Sequence, residues 1–479
     1  MNQSFEHLPK DKRKKILLIC DDIRVHSGVA TVAKEIVVHT SHHFNWVQMA
    51  GAIKHPDKGK ALDLSESINE VTSHKDSSII LYPQDGYGNP DVLRQILKRE
   101  KPDAIMLITD PRYFQWVFNM ENEIRNKIPI TYLNIWDDYP APMYNGAFYE
   151  ACDLLMGISK QTVNINKLVL GDKGKNKLFK YVPHGLNPDI YFPIDPKDKG
   201  FKDFKKQVFP NSVPEFIVFF NSRNIRRKQI PDTMLAFRAF LDTLPKKEAK
   251  KCCLILHTEL VTDPGTDLGA VKEYLFDEEY QENVIFSLNK LSQQQLNYLY
   301  NMADVQMLLT SNEGWGLSIT EAILSGTPII ANVTGGMQDQ MRFVDDKDNW
   351  FTPSPEIPSN HRGTFKKHGE WAFPCYPTSR SIQGSPLTPY IYDDRCRWED
   401  ALEQLQKVYS LSPEERKELG LKGREWAISD EAGFTVKHQA NRVMEAFTEL
   451  FKTWKPREKY EIVNATEYKG KFLNHKILY

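Results

Sequence analysis

A chain of 479 residues exceeds what one hydrophobic core supports, since single cores stop growing at roughly 250–300 residues, so two domains are expected. An apolar fraction of 41% beside 26% charged residues excludes a disordered or collagen-like chain. Basic and acidic side chains, 62 against 63, leave a formal net charge of -1, which excludes a global positive field of the kind that draws nucleic acid or anionic membranes, though a local basic groove stays open.

The start, MNQSFEHLPKDKRKK, is basic but lacks a signal-type apolar segment, and no apolar run approaches the ~20 residues that span a bilayer. The chain is therefore read as intracellular and cytoplasmic. KILLIC at 15–20 is a short continuous apolar run, as expected of a strand buried on both faces of a parallel sheet. Ser27 and Gly28 then stand where a helix begins, followed by Val29, Val32, Ala33 and Val37 at helical spacing. Further apolar runs at 78–83, 104–109, 130–136 and 153–159 alternate with helical patterns, which predicts an open α/β sheet. Proline and glycine in YVPHGLNPDIYFPID interrupt every periodicity, and the domain linker is placed there.

The alternation restarts at 215–222 and continues through 252–258, 283–288 and 305–310, so a second domain of the same class is expected, with a ligand cleft between the two. The pattern fails from 349 to 394, a stretch rich in Pro, Ser, aromatic and basic residues and read as structureless. Ser412, Pro413 and Glu415 then form a capping box, and a last amphipathic helix is expected over about 431–454. The predicted domains are 1–195, 196–430 with an insertion at about 350–395, and 431–479 as a helix returning to the first domain. The six cysteines show no CxxC pair or zinc spacing and read as reduced thiols.

Chemistry concentrates in SNEGWGLSITEAILSGTPIIANVTGG at 311–336, laid out as loop, helix, strand and glycine pair. Gly314 and Gly316 let the backbone pass close to a ligand, and a helix starting near Ser318 offers free amides to an anion such as a diphosphate. Glu313 and Glu321, eight positions apart, place two carboxylates at that helix mouth, suited to the paired hydroxyls of a sugar. A glutamate at a helix start is also favoured by the dipole alone. In NSRNIRRKQIPDTMLAF, Arg223 and Lys228 follow a strand and can neutralise a diphosphate from the other side, or form a solvated patch.

EGWGLSITEAILSGTP, with its E-x7-E spacing, resembles the donor-site signature of retaining glycosyltransferases of the GT-B fold, in the large group 1 (family 4-like) set. SGVATVAKEI, VPHGLNPDIYFP, Arg223, Lys228 and NVIFSLNKLSQQQLNYLYNMADVQMLLTS extend the resemblance to about residue 345. It implies two Rossmann-like α/β domains facing each other across a cleft, the acceptor on the first and the nucleotide sugar on the second. Glu321 would then bind the ribose and Glu313 the donor sugar. Arg223, Lys228 and backbone amides at Gly28, Gly316 and Leu317 would hold the diphosphate, with Gly314 and Trp315 beside them. Catalysis would fall to Arg223, Lys228 and Glu313 without a protein nucleophile, the leaving phosphate taking the acceptor's proton. The co-substrate would be a UDP- or GDP-sugar, with no cofactor and no obligatory metal; the paired aspartates at 21 and 22, 137 and 138, and 393 and 394 lack further ligands.

The chain also departs from the family pattern. Asp110 and Arg112 stand where a histidine often touches the donor sugar, His184 where Asn is commoner, and Asp339 where Glu is usual. The sugar is thus left open, and Asp110, Arg112, Asp137 and Asp138 are candidates for sugar or acceptor contacts, with loop 135–145 as an acceptor wall. A glycan or other hydroxyl compound is the first acceptor class, followed by a lipid-linked sugar. Arg362, Lys366, Lys367, Arg380 and the aromatics of the insertion keep a hydroxymethylated DNA base as an alternative nucleic acid acceptor. A nucleotide-sugar-binding protein without catalysis and a phosphate-using phosphorylase are the competing functions, and the oligomeric state is left open.

Overall fold

A computed structural model describes residues 5–458 of the chain; the end of the expected C-terminal segment, 459–479, lies outside the described residues. The first sheet contains β1 (Lys14–Asp21), β2 (Phe44–Gly51), β3 (Leu62–Asp63), β4 (Ile79–Pro83), β5 (Ala104–Ile108), β6 (Ile130–Asn134), β7 (Leu154–Gly157) and β8 (Leu178–Tyr181). Its order is β3-β4-β2-β1-β5-β6-β7-β8, parallel except where β3 meets β4. The second sheet contains β9 (Phe216–Asn221), β10 (Cys252–His257), β11 (Val284–Ser287), β12 (Val305–Leu308), β13 (Ile329–Asn332) and β14 (Ala372–Cys375) in the order β11-β10-β9-β12-β13-β14. A separate antiparallel hairpin is made by β15 (Ser379–Ser385) and β16 (Thr388–Arg395).

The central strands are buried along nearly their whole length, β5, β6 and β12 without exception, because helices cover both faces of a parallel sheet. That is why apolar runs marked them. β2, in FNWVQMAG, is equally buried, but Asn45 and Gln48 interrupt its run; Gln48 is held by its amide donating to the Asp21 carbonyl at 2.7 Å. β8 has only half-buried residues and gives no apolar signal.

The chain leaves the first sheet at Tyr181, and the helix Lys199–Val208 already packs Phe201 and Phe204 on Tyr298 beneath the second sheet. The last helix runs Val436–Thr453, starting five residues later than expected from about 431, because Thr435 caps it and Gly433 before it takes φ +58°. Its Phe447 ring lies 5.6 Å from Phe44, so the chain's last helix packs on the first domain. Among the described residues no helix is long and apolar enough to cross a membrane. All six cysteines are buried and free.

The stretch expected to be structureless divides in two: 349–371 forms no helix or strand, whereas beyond it β14 extends the second sheet and the hairpin reaches back to the first domain. Tyr392 donates its N–H to the Tyr139 carbonyl at 2.6 Å, and the Tyr144 hydroxyl donates to the Tyr390 carbonyl at 2.9 Å. Apolar periodicity missed the hairpin because most of β15 faces solvent, while Ile391 and Tyr392 of β16 are only partly buried, against an apolar cluster of the first domain that includes Trp136 and Tyr139.

Candidate active site

In each sheet the strand order reverses between neighbours that lead to opposite sides, at β1/β5 and at β9/β12. Ligands of open α/β sheets bind beyond such switch points. A cleft of about 840 Å³ lies between the two domains there. Asp21, Gly28 and Ile135 line it from the first domain, and Asn221, Lys228 and Glu313 from the second.

Two helix N-termini meet in the cleft. The helix Gly28–Thr40 is capped by Ser27, whose Oγ accepts from Ala30 N–H at 3.0 Å and donates to Asp21 at 2.6 Å. Opposite it stands the helix Leu317–Leu324, entered through Gly316 at φ +84°, a backbone that glycine adopts without steric penalty. A Cβ built on Gly28 would lie 3.8 Å from Leu317 Cδ1, so the positive ends of both helices face the same space. Gly314 is needed for another reason: a Cβ there would lie 2.7 Å from the Ile135 carbonyl, so the domains could not approach as they do.

The structure pairs Glu313 with Lys228 and, at 3.0 Å, with Arg227 Nη1. Burial alone would raise the Glu313 carboxyl, but the two cations outweigh it and hold the group at about 2. Two cations against one carboxylate leave a net positive centre below both helix ends, as a diphosphate requires. Arg223, expected in the same role, lines the cleft but its side chain is 78% exposed, 3.9 Å from Glu259. Arg227 takes the inner position. It stands beside Lys228 in the same basic run, and the family's Arg–Lys spacing drew the sequence reading past it.

Glu321 lines the cleft with its carboxylate held from behind. Tyr191 OH donates to Oε1 at 3.1 Å, and Tyr300 OH and Asn221 Nδ2 donate to Oε2 at 2.5 and 3.2 Å. Burial raises its carboxyl despite these bonds. Three of about four acceptor positions are used, which leaves one for a ligand hydroxyl. Trp315 lines the cleft with its indole largely turned away: 2% exposed, it donates its indole N–H to Thr320 at 2.9 Å and packs on Phe434, so it supports the loop from below. His184 lines the cleft with its Nδ1 unpartnered, and burial lowers the imidazole to about 4, so it is neutral at physiological pH.

A second cavity of about 350 Å³ adjoins the first; Ile135, Asp137 and Arg227 line both. Asp110 and Arg112 face this second cavity and pair with each other, and Arg112 also reaches Thr388 of the hairpin. Asp138 belongs to neither. It is fully buried, accepting from Tyr139 N–H at 2.8 Å and Gln161 Nε2 at 2.9 Å, with Arg380 at 3.6 Å. Burial and the nearby Asp394 push its carboxyl well up. As an acceptor candidate Asp138 is therefore corrected: it anchors the hairpin, whose Arg380 donates to Asp394 at 2.5 Å. Arg380 is thereby committed to carboxylates, Lys367 pairs with Asp348, and Lys366 lies over the Tyr376 ring. Lys366, Lys367 and Arg380 thus serve local contacts, whereas Arg362 is exposed.

Asp339, a departure from the family pattern, also acquires a part. It accepts the Lys160 N–H from the first domain at 2.8 Å, and burial raises its carboxyl to about 6. Among the described residues no three His, Cys, Asp or Glu side chains gather as metal ligands would.

Residues 201–356 match the family described as glycosyl transferases group 1, a span that contains Arg223, Arg227, Lys228, Glu313 and Glu321. No curated protein matches the chain. Among solved structures, a sucrose-phosphate synthase from Thermosynechococcus elongatus is similar with a TM-score of 0.63 at 16% identity, over 92% of this chain and 100% of that one. A glycosyltransferase from Rickettsia africae superposes with a TM-score of 0.62 at 13% identity, over 92% and 99%. Anabaena Alr3699/HepE, solved in complex with UDP-glucose, gives 0.59 at 15% identity, over 91% and 100%. Two parallel Rossmann-like sheets, a cleft at their switch points and a group 1 domain around the charged cluster lead to one conclusion: the chain is a glycosyltransferase of the GT-B fold.

Proposed function

We propose that the chain is a retaining glycosyltransferase that moves a sugar from a nucleoside-diphosphate sugar to a hydroxyl acceptor, without a metal ion and by front-face displacement. The observation that carries this reading is the Lys228, Arg227 and Glu313 cluster beneath two opposed helix N-termini. It concentrates positive charge where a departing diphosphate would gather negative charge, the role a metal ion fills elsewhere. Glu321 would take one ribose hydroxyl. The acceptor oxygen attacks C1 of the sugar as the C1–O bond to the diphosphate breaks; the leaving oxygen takes the electron pair and the acceptor's proton. UDP-glucose is the first donor to test, since Alr3699/HepE is solved with it.

A thermal-shift panel of nucleoside diphosphates and their sugars tests donor binding, because a ligand bound to the folded state raises apparent stability by mass action. Release of nucleoside diphosphate on an acceptor panel, with and without EDTA, then tests turnover. Binding without turnover sinks the enzymatic reading, EDTA sensitivity sinks metal independence, and inversion at C1 in the NMR spectrum of the product sinks retention. Turnover that depends on inorganic phosphate and on no nucleotide would make it a phosphorylase.

A further inference from the structure

Apart from Arg227 and Asn312, the second cavity is lined by two parts of the chain that the family match leaves out: the first domain and the hairpin, which both lie outside 201–356. The hairpin contributes Gln383, Ser385 and Thr388, neutral groups that donate and accept hydrogen bonds. The first domain contributes the Asp110 and Arg112 pair and Asp137. Asp137 stands at the neck between the two cavities: a Cβ built on Gly314 would lie 3.2 Å from its Oδ1. Its backbone carbonyl accepts from Gln161, whereas no hydrogen bond or ion pair reaches its carboxylate among the described residues. Burial raises that carboxyl, with Arg227 and Lys228 pulling down and Glu313 and Asp110 pushing up.

We propose that this hairpin-walled cavity is the acceptor subsite, that it takes an uncharged polyhydroxylated acceptor of one or two sugar rings, and that Asp137 anchors the acceptor through a hydroxyl beside the reacting one. The inference rests on the donor reading above. Asp137 is half-buried, and a partly desolvated carboxylate without a hydrogen-bond partner is stabilised by a ligand hydroxyl that donates to it. The reacting hydroxyl keeps its own proton for the departing diphosphate oxygen. Charge sets the class: Asp110 and Asp137 line the cavity against Arg112 and Arg227, two carboxylates against two cations, so no surplus positive charge is left for a phosphate. Size agrees, since about 350 Å³ is near the lower end of ligand pockets, ~300–1,000 Å³.

The full-length protein saturated with UDP, or with whichever diphosphate binds, is titrated with maltose, sucrose and methyl glucoside and with glucose 6-phosphate, read by saturation-transfer NMR and calorimetry. Asp137→Asn, nearly isosteric, and Gln383→Ala, on the exposed hairpin, are each expected to weaken neutral-sugar binding, the first by about tenfold or more, and Gln383→Ala to leave nucleotide affinity unchanged. In turnover the loss is expected in acceptor KM. Unchanged sugar affinity in both variants, or no neutral sugar binding to the loaded wild type, overturns the subsite while leaving the donor reading in place. Tighter binding of the sugar phosphate overturns the charge assignment. Failure of the wild type to bind any nucleotide overturns the donor reading and this inference with it.

Discussion

The two adjoining cavities are built in opposite ways. The larger takes its charged centre from two short segments of one domain, 223–228 and 313–321, and sets three of its key groups in a mutually compensating cluster. The smaller draws mainly on 110–112, 135–137 and 383–391 and leaves one carboxylate without a hydrogen-bond partner among the described residues. A diphosphate has the same shape and charge whatever the sugar, so its seat can be written as a compact motif. The wall around a second substrate is free to vary, and here a hairpin supplies it.

If the compact centre carries catalysis, Lys228→Ala has the largest expected effect. It removes a cation that is buried against Glu313, and turnover should fall by ~10²-fold or more in a kcat measurement at saturating donor. An unchanged kcat would move leaving-group stabilisation elsewhere, Arg227 first. Glu321→Ala comes next: donor affinity should drop by roughly tenfold, seen by calorimetry, with kcat at saturation less affected. Arg112→Met sharpens the contrast from the other side, because it frees Asp110 and loosens Thr388. Acceptor KM should rise about threefold to tenfold while the nucleotide Kd stays level; equal losses in both would show that the cavities do not divide the substrates.

Arg223→Ala is expected to have a smaller effect, a change of about twofold to threefold that fades at high salt, because an exposed guanidinium is screened by solvent and ions. If its loss matches that of Lys228, the arginine turns inward once donor is bound. The smallest effect on turnover is expected at His184, which acts on stability instead. Its folded value of about 4 lies below the ordinary 6.5, so between these values the unfolded chain binds the extra proton. Stability from this group is therefore full above about pH 6.5 and is lost as pH falls toward 4, amounting to about 3 kcal/mol at most. His184→Asn should flatten that part of the melting-temperature profile.

Most of the fold was legible because a parallel sheet buries both strand faces: β1, β5, β9, β10 and β12 show as apolar runs. β2 escaped because its buried Gln48 is satisfied by backbone, a tertiary fact with no local trace. Glu313 and Glu321 were legible through their spacing around a glycine-rich turn, and Lys228 through its place in a basic run after a strand. Arg227 was hidden by adjacency, since periodicity cannot say which of two neighbouring arginines points inward. Asp137 and Asp138 are likewise indistinguishable in sequence. One ends at the neck of two cavities and the other under Arg380, and the position of the hairpin decides between them.

That hairpin is continuous with the edge of the second sheet yet hydrogen-bonds to the loop after β6 of the first. It works as a strap across a hinge: any wide rotation of one domain from the other must first release Tyr392 from Tyr139 and Tyr390 from Tyr144. Each such bond is worth about 0.5–1.5 kcal/mol net, small enough to open many times within a catalytic cycle. The strap is thereby one tie among several across the cleft, beside Lys160 to Asp339 and Gln338 to Gln161.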